Sequence, residues 1–192
     1  MGFFHKLKAN RLDIFGGHVD HRGKPVAAEH GAGAVGTAGA PQTYRWSENG
    51  TIITEIQIDL TGLKCKGDAA KDAIGLTGAA YIGRYVVAKC GYVYKIEMSC
   101  LELPTEGTAT ITTDIDLGAE DVDTTAYDGG VDDVVINTGG VALGQTYQTL
   151  VPSLTANDYL YLVEGDTTAS TGVYSGGQLV IRMWGQEALS LS

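Results

Sequence analysis

From Thr51 onward apolar side chains recur with period two, the spacing that sends alternate residues to opposite faces of a sheet. In TIITEIQIDL it sets Ile52, Thr54, Ile56 and Ile58 on one face and Ile53, Glu55, Gln57 and Asp59 on the other. The same reading makes strands of GRYVVAKC, YVYKIEMSCLEL, ATITTDIDL, DDVVIN, YLYLVEG and GQLVIRMWG; in ATITTDIDL, Ile111, Thr113, Ile115 and Leu117 align. Glycine-rich or polar strings separate them, and each is read as a turn: CGY at 90–92, PTEG at 104–107, NTGG at 137–140, EGDTT at 164–168 and YSGG at 174–177. One short helix is expected, in KGDAAKDAIG with Asp68 as its N-cap. Many strands joined by tight turns, with little helix between them, predict an all-β chain built as an antiparallel β-sandwich or jelly roll. The 27 glycines and ten tyrosines agree, because glycine supplies turns and tyrosine suits a half-buried pleated surface.

Residues 1–50 differ in kind. They open with MGFFHKLKANRLDIFGG and end in GAGAVGTAGAPQ, which offers little bulk to bury. Such a segment does not offset its own ordering entropy, so the sequence predicts an extended N-terminal arm over 1–50 that orders on a partner, followed by a β-sandwich body over 51–192. Phe3, Phe4, Leu7, Leu12, Ile14 and Phe15 are its expected interface anchors, and Lys6, Lys8 and Arg11 are expected to meet carboxylates on the neighbour.

Charge is unevenly distributed along a chain of net charge −10. Residues 1–50 hold six Lys/Arg against four Asp/Glu, and residues 51–100 hold six against five; residues 101–192 hold Arg182 against fourteen acidic side chains. A body this acidic repels phosphate, so nucleic acid is not an expected partner. No apolar run approaches the ~20 residues of a membrane span, so no membrane partner is expected. No signal peptide is read at the N-terminus. Cys65, Cys90 and Cys100 match no zinc spacing and are expected to be reduced packing thiols of a protein made in a cytoplasm.

The candidate chemical sites are weak. Gly31-Ala-Gly33-Ala-Val-Gly36 fits the letters of a dinucleotide fingerprint but lacks the preceding strand and following helix, so it reads as a flexible linker. His5, His18, His21 and His30 all fall in the arm, where nothing holds a ligand set rigid, and read as solvated or interface histidines. The acidic stretch from Asp114 to Asp133 has enough carboxylates to wrap calcium but not the EF-hand spacing, and reads as a solvated loop. With no GxSxG, P-loop, HExxH or CxxC motif, the expectation is a protein that is not an enzyme and uses no metal or cofactor.

The segment from Ile82 to Gly185 resembles small virion proteins of tailed phages, especially capsid decoration (cement) proteins of marine phages. The residues that carry the resemblance are IGRYVVAKCGYVYKIEMSCLELPTEG and a closing TGxYxxGxLxIRxxG string through Thr171, Gly172, Tyr174, Gly177, Leu179, Ile181, Arg182 and Gly185. The resemblance implies a β-sandwich or jelly roll, often a homotrimer, that sits in the virion on the outside of a lattice of major capsid protein and stabilises it. It implies no catalytic residues. Other readings are a phage fibre, tail or head–tail connector component, or a carbohydrate-binding β-sandwich with Trp46 and Trp184 as stacking platforms.

Overall fold

In the computed structural model, residues 26, 27, 29–67, 69–165 and 171–187 are described. Among them the alternating runs form ten strands: β1 (Gln42–Glu48), β2 (Thr51–Asp59), β3 (Lys64–Cys65), β4 (Gly83–Arg84), β5 (Tyr92–Thr108), β6 (Ile115–Glu120), β7 (Asp133–Ile136), β8 (Thr146–Leu150), β9 (Tyr159–Glu164) and β10 (Gly172–Gln186). They make two antiparallel sheets. The larger runs β1-β2-β10-β5-β8, with β3 on the far end of β10, and the smaller runs β4-β9-β6-β7. The expected all-β antiparallel sandwich is therefore the fold. Its core lies between the sheets, where Ile56, Ile58, Ile96, Met98, Leu179 and Ile181 of the larger face Ile115, Leu117, Leu160 and Leu162 of the smaller. None of the described residues forms a helix long and apolar enough to cross a membrane.

The smaller sheet is covered on its second face too. There Tyr161 and Val163 of β9 pack with Ala73, Ala80 and Val131 from the loops, and the Tyr161 hydroxyl donates to the Val122 carbonyl at 2.9 Å. Ala73 and its neighbours belong to the string read as a helix, so that reading is corrected. Asp68 lies outside the described residues, and the backbone after it bonds across the fold: Lys71 N–H to the Glu164 carbonyl, Ala73 N–H to Gly129 and Ile74 N–H to Leu162. Partners on a neighbouring strand edge replaced the i→i−4 bonds a helix would have made.

Two predicted turns are also corrected. PTEG lies inside β5 and YSGG inside β10, and they pair with each other, Tyr174 opposite Glu106 and Gly176 opposite Thr105. The register then shifts to Gln178 opposite Glu102, which leaves Pro104 in an irregular stretch where its missing N–H costs no ladder bond. In GRYVVAKC only Gly83–Arg84 is strand. Val87–Cys90 forms a one-turn helix, α1, closed by the Cys90 N–H to Val86 carbonyl bond at 2.8 Å. ATITTDIDL becomes strand only from Ile115, although Ile111 is buried as its pattern requires.

The boundary of the arm moves. Residues 29–50 are built into the body: β1 pairs with β2 along its whole length, Gly31 N–H bonds the Tyr81 carbonyl at 2.8 Å, and Gly33 N–H bonds Ala79 at 2.7 Å. The glycines of GAGAVG allow this close approach and are not a linker. A Cβ on Gly33 would stand 2.3 Å from the Gly78 carbonyl oxygen, and one on Gly31 would stand 2.1 Å from that of Ala79. Residues 1–25, with the anchors Phe3, Phe4, Leu7, Leu12, Ile14 and Phe15, lie outside the described residues.

Because all three atoms nearest that Cβ on Gly33 are backbone oxygens, Gly33→Ala is expected to destabilise the fold by roughly 1–3 kcal/mol. Gly130→Ala, where a Cβ meets nothing within 4 Å, is expected to fall within about 0.5 kcal/mol of wild type. Urea unfolding of the two variants checks the pair.

Candidate interaction surfaces

The outer face of the larger sheet is a grid of cross-strand rows. One runs Trp46, Ile53, Trp184, Lys95, Leu150; the next runs Tyr44, Glu55, Arg182, Glu97, Gln148. Both rows follow from antiparallel register, which sets directly opposed residues on the same face. Their charges are matched locally. Arg182 Nε donates to Glu55 Oε2 at 2.6 Å, Gln57 Nε2 donates to Glu55 Oε1 at 2.7 Å, and Lys95 pairs with Glu97. Glu55 is wholly buried on this face although its partner Arg182 is half exposed.

The tryptophans do not form a sugar platform together. Trp46 and Trp184 are separated by the intervening strand β2, and Lys95 Nζ sits 4.4 Å from the centroid of Trp184, occupying one ring face. Farther along the same face lies a shallow groove of about 290 Å³, lined by Gln42, Gln57, Gln178, Asp59 and exposed Leu101. Asp59 Oδ1 is already held by the Thr61 N–H at 2.9 Å and hydroxyl at 2.6 Å. The groove thus offers amides and an apolar side chain, groups that bind rather than react.

The acidic stretch divides between interior and solvent. Asp116 and Glu120 are buried in β6, whereas Asp121, Asp123, Asp132 and Asp133 are exposed on the smaller-sheet side; the reading as one solvated loop is corrected to that extent. A residue in β6 is covered on either face, so alternation there carries two carboxylates inward. Burial raises the Asp116 pKa above its ordinary 3.8, against the Thr138 N–H that donates to Oδ1 at 2.7 Å. Burial likewise raises Glu120, which accepts from the Thr125 hydroxyl, and Asp158, whose Oδ2 accepts the Thr155 N–H at 2.6 Å. Asp128 pairs with Lys66 at 2.7 Å. Among the described residues no three His, Cys, Asp or Glu side chains converge as metal ligands.

The other predicted positions are dispersed. His30 is half-buried beside the Gly31 carbonyl, while His5, His18 and His21 lie outside the described residues. Cys65, Cys90 and Cys100 are buried thiols in the core, and burial pushes Cys100 up. One surface that the sequence reading missed is an apolar end of the larger sheet, where Tyr92, Tyr94, Leu150 and Val151 are all exposed. The Val151 N–H to Tyr94 carbonyl bond at 2.8 Å brings the two strand ends together.

The closing string lies in β10 and its entry. Tyr174 is buried with its hydroxyl donating to the Thr112 carbonyl at 3.0 Å, Leu179 and Ile181 fill the core, and a Cβ on Gly185 would lie 1.9 Å from the Cys90 carbonyl oxygen. These are fold-determining positions. No family model, curated protein or solved structure matches the chain.

A carboxyl whose pKa is raised by folding favours the protonated native state, so its contribution is full in acid and is lost as pH rises through the raised value. Asp116, Glu120 and Asp158 are therefore expected to lower stability as pH rises above their ordinary values near about 4. Asp116→Asn keeps an acceptor for Thr138 and removes the charge. It is expected to raise Tm at neutral pH and to flatten the decline of Tm with pH, as read by scanning calorimetry.

Proposed function

We propose that this chain is a virion structural protein, a capsid decoration protein that binds the outside of a tailed-phage head lattice of major capsid protein and stabilises it without catalysing a reaction. The observation that carries the reading is the division of the surface. At the centre of the larger-sheet face Arg182 pairs with Glu55 and Lys95 with Glu97, while exposed Asp121, Asp123, Asp132 and Asp133 lie on the smaller-sheet side. A face with its central charges paired suits docking, and an acidic face keeps a particle of many copies soluble. The resemblance supplies the identity of the lattice. The residues that carry it build β4, α1, β5 and β10, so they support the fold part of the likeness more directly than the role.

A second reading, a carbohydrate-binding sandwich, is favoured by the amide-lined groove at Gln42, Gln57 and Gln178. Glycan-array binding that is lost in Gln57→Ala would establish it in place of the first.

Purified protein is expected to decorate empty expanded capsids at regular lattice sites seen by electron microscopy. Lys95→Glu is expected to weaken binding about tenfold or more, with Asp123→Lys near wild type. Deleting residues 1–25 removes the six apolar anchors and tests their contribution with the body intact; deletion through residue 40 also removes Gly31 and Gly33 and is expected to destabilise the body. Absence of binding by the full chain would overturn the proposal.

A further inference from the structure

We infer that β8 is a self-pairing edge, and that two copies of this chain join β8 to β8 antiparallel about a twofold axis to extend the larger sheet across both. The inference does not depend on the capsid reading.

β8 ends the order of the larger sheet, and among the described residues its only strand partner is β5. Antiparallel ladders alternate bonded and non-bonded pairs. Val151 N–H bonds the Tyr94 carbonyl and Cys100 N–H bonds the Gln145 carbonyl, so the odd-numbered residues from 145 to 151 face β5. The N–H and C=O groups of Thr146, Gln148 and Leu150 consequently point outward, and all three residues are exposed.

Natural edges are usually blunted by charge, proline or a bulge. This one has none of them within its span. From Val134 to Asn157 the chain carries no Asp, Glu, Lys, Arg or His, in a protein of net charge −10. Leu143, Leu150 and Val151 are exposed around the strand, and Val151 holds φ 52, an unfavourable conformation for a β-branched residue that projects its side chain to solvent.

Charge selects the occupant. Two acidic copies repel over most approaches, and an uncharged edge lets them meet without opposing carboxylates. Geometry agrees, because an isologous contact needs a self-complementary strand. Pairing centred on Gln148 sets Gln148 against its own copy and Thr146 against Leu150, so each outward residue exchanges both of its backbone bonds. Moving the centre to Leu150 would bring Pro152, which has no N–H, opposite Gln148.

The full chain is expected to sediment at twice its 20.2 kDa mass in a concentration-dependent manner. Gln148→Lys and Gln148→Glu, each at an exposed position, are each expected to be monomeric at low salt, and mixing them is expected to restore the twofold species. Gln148→Pro, which removes an outward N–H and no bond to β5, is expected to be monomeric at every salt concentration. A full chain that stays monomeric throughout the series, a trimer mass, or an assembly unaffected by either charge variant would overturn the inference. Capsid binding by a monomeric variant would leave the proposed function standing, which keeps the two failures distinct.

Discussion

The fold depends on β10 being hydrogen-bonded along both of its edges. It pairs with β2 from Thr51 to Asp59 on one side and with β5 on the other, and its inward side chains Leu179, Ile181 and Met183 lie at the centre of the core. Burial of these groups, at about 1.5–3 kcal/mol each, is realised only if the strands on either side hold register. Two features secure it. Gly185 allows the Cys90 carbonyl to approach where no Cβ fits, and Arg182 keeps buried Glu55 paired on the opposite face.

Turn chemistry was overridden wherever a long-range partner stood opposite. PTEG and YSGG each have the residues of a turn, yet each provides the other with a ladder, and the mismatch is absorbed as register shifts. The stretch 69–75 lost its helix in the same way, to bonds with β9 and neighbouring loops. GAGAVG shows the reverse side of small-residue composition. A string too small to build a core alone is the string that fits against the backbone of Leu76, Gly78, Ala79 and Thr61 when the rest of the core is present.

The surface follows from the same layering. Covering both faces of the smaller sheet drives Asp116 and Glu120 inside, where burial raises their pKa values, while the exposed aspartates concentrate on the loops beside them. The larger sheet keeps an outer face on which Glu55 and Glu97 are paired with Arg182 and Lys95, and an edge with no charge at all. Both surfaces exist because strands distant in sequence were placed side by side; β8 joins this sheet by pairing with β5, some fifty residues before it.

Period-two alternation determined by itself that the chain is all-β and which side chains of β2 point inward, because the pleat fixes that geometry for any strand. The packing thiols were legible from a spacing of Cys65, Cys90 and Cys100 that matches no zinc-ligand pattern. The interaction surfaces were less so: the uncharged run from Val134 to Asn157 is visible in the sequence, but that it forms a sheet edge is not. β1 and β8 were missed because polar and small residues pair as strands only when a neighbour offers its backbone. Tertiary structure alone decided strand order, the second cover on the smaller sheet and the fate of residues 29–50, since each rests on contacts between segments whose separation along the chain leaves no local signal.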